Sequence, residues 1–263
     1  MTPMSGLAVV RRHAASLLTL VALAAVLVDL GLADAARLAA GLANIGTFSR
    51  DLFPPDPAVV VPVAGAMIET VEIAFAGTLL GFALALPLAL AATEAVSGRA
   101  ISAALRALLA FVRTIPSLLW AIVFVVAVGL GPAAGALGIA MYSLGYMGKL
   151  FSDAFEGVDP EVLEAVRAVG AGRVQLARFA ILPESAHAVL AQLLFVFEYN
   201  VRASSILGFV GAGGIGFYLL GYVQALQYDR LMTALLVTFA AVLLIDAASE
   251  RLRQRYVVPG ARG

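Results

Sequence analysis

From Ala64 to Ala92 only two charged side chains, Glu69 and Glu72, interrupt an otherwise apolar run. A helix needs roughly 20 mostly apolar residues to cross a bilayer, and this run is longer. Comparable stretches fall at Ala14–Leu32, Phe111–Leu130, Pro132–Phe151, Ala186–Val210 and Leu231–Ala248, so six spans are expected. Of the 263 residues 62% are hydrophobic and 13% charged, whereas soluble domains carry about a quarter charged and need a charged skin. Continuous runs, as opposed to alternation, indicate helices rather than a barrel. The expected class is all-α, a polytopic membrane protein.

The formal net charge is zero, so nothing in the balance suggests a nucleic-acid partner. Cysteine is absent, which excludes disulfides, thiolate metal sites and a cysteine nucleophile. Two histidines, His13 and His187, are too few for a histidine metal cluster. No cofactor or metal is expected in this chain.

Ala33–Val63 ends in Phe53-Pro54-Pro55-Asp56-Pro57. Prolines at this density stop helix propagation, and a loop or re-entry turn is expected. With the N-terminus in the cytoplasm, the inner segments and their margins hold Arg11, Arg12, Arg99, Arg106, Arg113, Lys149, Arg167, Arg173, Arg178, Arg251, Arg253, Arg255 and Arg262. Only Arg37, Arg50 and Arg230 fall outside, and Arg202 lies within a span. This excess places both termini in the cytoplasm. Arg11-Arg12-His13, an apolar run and then Ala33-Asp34-Ala35 also has the form of a cleavable signal. A retained first helix is the expectation and cleavage the alternative.

Ser152–Ser185 is the longest inner connection and the most charged stretch. Asp159-Pro160 has the form of an N-cap with proline at the first helical position. Val162, Ala165, Val166 and Val169 recur at helical spacing, and Gly170-Ala171-Gly172 ends the helix. A second short helix through Val174, Leu176, Ala177 and Phe179 is expected to reach Leu182-Pro183, giving a helix–turn–helix outside the bilayer.

Gly211-x-Gly213-x-x-Gly216 satisfies the dinucleotide fingerprint literally. That fingerprint works inside a βαβ unit, with an acidic residue about 20 residues on; here it joins the end of one span to the start of another. A glycine-rich turn on the outer side, built from Gly208, Gly211, Gly213, Gly214 and Gly216, is the expectation. A membrane oxidoreductase using this turn is the distant rival. Gly145-x-x-Gly148-Lys149-Leu150 lacks both the spacing and the Ser/Thr of a P-loop. No catalytic residue is assigned, and the chain is not expected to be an enzyme.

Glu164-Ala165-x-x-x-x-Gly170-Ala171, with Leu182-Pro183 downstream, resembles the EAA loop of the membrane subunits of bacterial ABC importers, Val166 replacing the second alanine. Arg113-Thr114-Ile115-Pro116-Ser117-Leu118-Leu119-Trp120, Ser143–Leu150, Glu198-Tyr199-Asn200-Val201-Arg202-Ala203-Ser204, Leu207–Gly216 and Phe53-Pro54-Pro55-Asp56 look like the permeases of phosphonate and phosphite importers. Together they cover most of Phe53–Arg253. Tyr142 departs from the histidine expected before Ser-x-Gly, which bears on the exact oxyanion.

The resemblance implies a type I ABC importer permease with six transmembrane helices and a cytoplasmic coupling helix. Its divisions would be an N-terminal helix and periplasmic loop (1–63), a transmembrane domain (64–250, coupling loop 152–185) and a basic tail (251–263). It implies the bacterial cytoplasmic membrane, a second permease copy, two ATPase subunits that bind ATP and Mg, and a periplasmic or lipid-anchored binding protein. Glu164, Ala165, Arg167, Gly170 and Ala171 would meet the ATPase. A type I permease for methionine or another oxyanion is the nearer rival.

Charges inside spans are functional candidates. Glu198 and Arg202 stand at i and i+4, which allows an intrahelical ion pair; the other reading puts Asn200, Arg202 and Ser204, with Glu198 nearby, along a route for a phosphorus oxyanion. Glu69 and Glu72 are expected to pack or dock rather than bind an anion. Arg113 and Lys149 are expected to snorkel, and Asp246 to pair with Arg251 or Arg253.

Overall fold

The computed structural model describes residues 6–256, with side chains from 13 to 255. Every regular element among the described residues is helical, and the chain divides into two units, Met1–Pro54 and Pro55–Gly263.

The first unit holds α1 (Gly6–Asp29) and α2 (Ala35–Asp51). The loop expected over Ala33–Val63 is therefore mostly helix. Its alanines and leucines favour helix, and Asp34 caps it by accepting from the Ala36 and Arg37 amides, each at 3.0 Å. The prolines stop the helix only after Asp51.

The second unit runs α3 (Val60–Ala91), α4 (Glu94–Ser97), α5 (Arg99–Thr114), α6 (Ser117–Val128), α7 (Pro132–Glu156), α8 (Pro160–Ala168), α9 (Arg173–Leu176), α10 (Leu182–Leu207), α11 (Gly216–Gln224) and α12 (Tyr228–Tyr256). At its centre α7 packs against α3, α5, α6 and α10. Close approach explains its glycines: a Cβ at Gly138 would lie 2.8 Å from the Ala121 backbone of α6, and one at Gly81 of α3 would lie 2.6 Å from Ser143 Cβ of α7. Backbones in contact substitute for the hydrophobic drive that lipid removes. Phe151, Phe155, Leu109, Met147 and Ile181 fill the α8 end of the bundle, and Met67, Val201 and Ile215 pack at the other end.

Among the described residues, three helical stretches are by length and composition able to cross a membrane: Pro57–Ala91, Arg173–Val210 and Tyr228–Arg255. The α5–α6 pair counts as a fourth if taken as one span. The span expected over Phe111–Leu130, with Pro116 able to kink it, is broken at that proline, because the two helices meet at 85°. Proline drives the preceding residue out of the α region, and Ile115 is extended at φ −88°, ψ 119°. α7 is not among the candidates; the glycines that suit it to the centre of the bundle also lower its hydropathy.

The second helix of the 152–185 connection does not stop at Leu182-Pro183. It continues through a π-helical segment, Ala177–Ile181, into α10. The wider turn just ahead of Pro183 accommodates a residue that cannot donate and would crowd the carbonyl four residues back. Only α8 and the turn after it stand apart as a separate short element.

Candidate functional site

α8 is built by local chemistry. The Asp159 carboxylate accepts from the Glu161 amide at 2.9 Å, Pro160 occupies the first turn, and Gly170 follows at φ +83°, a region that side-chain-bearing residues enter at a cost. Glu164, Ala165, Arg167 and Gly170 are exposed, while Ala171 is half-buried. Beside them Val169 is 84% and Val174 79% exposed, and the Arg178 guanidinium lies 5.6 Å from the Phe179 ring centroid.

At the opposite end, Gly208 and Gly216 lie in backbone contact, and Gly211, Gly213 and Gly214 adopt φ of +76°, +85° and +79°. The turn is stapled to α3: the Gly214 amide donates to Glu69 Oε1 at 3.1 Å and the Ile215 amide to Thr70 Oγ1 at 2.8 Å. Gly131, just before α7, donates to the Gly211 carbonyl at 2.9 Å. No strand precedes the turn among the described residues. The Gly211, Ala212, Gly214 and Ile215 amides already donate within the protein, so the dinucleotide reading has neither the strand nor the free turn amides that it needs. Glu69 is a docking group for the turn. Nearby, Asp56 ties the start of α12 to the approach to α3, accepting from Arg230 Nε at 3.1 Å while its carbonyl accepts from Thr233 Oγ1 at 2.8 Å.

Between the two ends the four residues singled out on α10 separate onto different faces. Asn200 and Ser204 are fully buried. Asn200 Nδ2 donates to Thr78 Oγ1 of α3 at 2.8 Å and to Ser143 Oγ of α7 at 2.7 Å, joining three helices. Asn200 Oδ1 and Ser204 Oγ are buried without a partner. Glu198 and Arg202 turn toward α12 and do not pair with each other. Arg202 Nη2 meets both oxygens of Asp246 at 2.6 and 2.5 Å, and Arg253 Nη2 meets Glu198 Oε1 at 2.8 Å. Asp246 thus pairs across helices rather than with Arg251 or Arg253: α10 and α12 run antiparallel, so Arg202 meets Asp246 while Glu198, one turn earlier on α10, meets Arg253, two turns later on α12. Lys149 pairs with Asp153 on its own helix.

Three tyrosines form a further group. Tyr142 and Tyr146 of α7 and Tyr199 of α10 stack with centroids 5.8, 5.8 and 6.4 Å apart and planes within 25°. The i,i+4 spacing of the first two is visible in the sequence; the arrival of Tyr199 is not. Nothing in the sequence sets Thr78 and Ser143 apart from the other hydroxyls.

Residues 77–260 match the family model described as binding-protein-dependent transport system inner membrane component. The chain is 37% identical over 227 residues to a phosphite transport system permease of Stutzerimonas stutzeri, covering 86% of this chain and 82% of that one. It is 39% identical over 215 residues to a phosphate-import permease of Mycolicibacterium smegmatis, covering 81% of this chain and 40% of the relative. Among solved structures, an inward-facing methionine ABC transporter matches with TM-score 0.68 and 24% identity, over 76% of this chain and 99% of that one. That likeness concerns the fold.

Proposed function

The chain belongs to the family of binding-protein-dependent transport system inner membrane components, and from that membership we propose that it is the permease of an ATP-driven importer for phosphite, phosphonate or a related phosphorus oxyanion. Similarity to phosphite permeases over most of both chains supports the substrate class. In this reading the chain crosses the cytoplasmic membrane six times, with α1, the α5–α6 pair and the glycine-rich α7 joining the three long apolar helices. Both termini lie in the cytoplasm, and two copies enclose one pathway.

The observation that carries the mechanism is α8, a capped short helix packed against the start of the Arg173–Val210 stretch, with Glu164, Ala165 and Arg167 exposed. Two ATPase subunits would seat against α8 and the exposed valines, and a periplasmic binding protein would deliver substrate at the glycine-turn end. ATP-driven closure of the ATPase pair would move α8, and the continuous Arg173–Val210 rod would carry that displacement across the membrane. ATP and Mg belong to the partner subunits in this scheme.

The test is affinity purification of the chain from its native membranes. An ATPase subunit should co-purify, and substitution of Glu164 and Arg167 together should release it. A chain that purifies alone, or whose α8 is labelled from the periplasmic side, overturns the reading.

A further inference from the structure

We propose that Arg113, Tyr142, Tyr146 and Tyr199 form an oxyanion-binding station along the transport pathway. The inference rests on the phosphorus-oxyanion reading above and adds the side chains that would meet the cargo within the membrane.

Arg113 closes α5 immediately before the break at Ile115-Pro116. Gly145 lets that last turn lie directly on α7, since a Cβ there would come within 2.7 Å of the Arg113 nitrogen. The contact falls between Tyr142 and Tyr146 in sequence. Tyr199 stacks on both from α10. Arg113 and Tyr199 are exposed, and Tyr142 and Tyr146 half-buried. A guanidinium and three phenols opening from membrane-spanning helices are unfavourable against lipid tails and suit a water-filled path.

Charge pairing separates this group from the α10–α12 contact. Arg202 is neutralised by Asp246, and Glu198 by Arg253. Among the described residues Arg113 forms no ion pair. An arginine without an ion pair, on the turn of α5 that packs on α7 between the two tyrosines, matches a tetrahedral phosphorus oxyanion, which accepts charge-assisted hydrogen bonds through several oxygens. The phenols contribute donors without fixed charge, which favours binding weak enough for release.

The experiment uses the intact transporter in cells, with radiolabelled phosphite and methylphosphonate as probes, and compares wild type, Arg113→Gln, Arg113→Lys and the pair Tyr142→Phe with Tyr199→Phe. The phenylalanines keep the ring stack and remove only hydroxyls. Uptake should fall roughly tenfold or more in Arg113→Gln and in the phenylalanine pair, the loss expected for hydrogen bonds to a charged group. Membrane abundance and ATP hydrolysis stimulated by the binding protein should stay at wild-type levels, and Arg113→Lys should recover part of the uptake. Wild-type uptake in either variant at normal abundance overturns the station. Should Arg113→Gln fail to reach the membrane, the phenylalanine pair decides alone. A wild-type protein that imports neither probe, nor radiolabelled phosphate, overturns the phosphorus-oxyanion reading, and the station falls with it.

Discussion

Arg202 of α10 and Asp246 of α12 face each other across two antiparallel helices, with one guanidinium nitrogen 2.6 and 2.5 Å from the carboxylate oxygens. The pair is 49% and 37% exposed, yet it sits on helices long and apolar enough to span a membrane. Its neighbour, Glu198 with Arg253, is more enclosed. Together the two pairs register α12 against α10.

Removing one partner leaves a lone charge in a span. Asp246→Asn leaves the Arg202 guanidinium unpaired on a membrane-spanning helix, and should give lower membrane abundance and a lower unfolding midpoint in detergent. Arg202→Met combined with Asp246→Leu should recover most of that loss. If Arg202→Met alone abolishes uptake while its midpoint stays at the wild-type value, Arg202 acts on cargo and its pairing is secondary.

Both protons of the Asn200 amide nitrogen are used to hold α3 and α7. Interhelical hydrogen bonds in membranes contribute about 1 kcal/mol. Asn200→Ala should therefore lower the unfolding midpoint modestly and leave uptake per folded transporter unchanged. Asn200→Asp should be worse than alanine, since it places a carboxylate where every side-chain atom is enclosed. Loss of uptake in Asn200→Ala without loss of stability would return Asn200 to the transport route.

The sequence makes some of this legible and hides the rest for identifiable reasons. Asp159-Pro160 and Gly170 bound α8 because capping and positive φ are local properties of a few residues. The long apolar runs announce α3, α10 and α12 in the same direct way. Partners across helices are another matter. Glu198 and Arg202 stand at a spacing that permits an intrahelical pair, and only the position of α12 shows why they choose Arg253 and Asp246. α2 was hidden by the prolines that follow it, although its own residues favour helix. Pro183 marks a helix start by rule, but the π segment before it absorbs the fault and the rod continues.

Gly170 tests the rigidity of the α8 turn. Open space surrounds the site, so a side chain would meet no clash and only the φ of +83° would oppose it. A side chain in this conformation costs about 1–2 kcal/mol. Gly170→Asn should be tolerated, because asparagine visits the left-handed region readily, whereas Gly170→Val should reorient α8. ATP hydrolysis should then lose its response to loaded binding protein while basal hydrolysis persists. Equal coupling in the asparagine and valine variants would falsify the role given to this backbone angle.

Gly138 tests the centre of the bundle by the opposite mechanism, since space rather than angle is limiting there. Its missing side chain lets Ala121 of α6 sit against the α7 backbone, with a Cβ-to-Cα distance of only 2.8 Å if alanine were introduced. Neither helix can give way cheaply: α7 is held on its other sides by α3, α5 and α10, and α6 is anchored by Trp120 Nε1 donating to the Val112 carbonyl at 3.3 Å. Gly138→Ala should therefore cost about 1–3 kcal/mol, the usual range for overpacking, and Gly138→Leu more, each seen as a lower unfolding midpoint. Ala121→Gly should relieve part of the Gly138→Ala loss, since it removes the Cβ, one of the three atoms of Ala121 that crowd the new methyl. If the two changes simply add, α6 and α7 do not meet at this point.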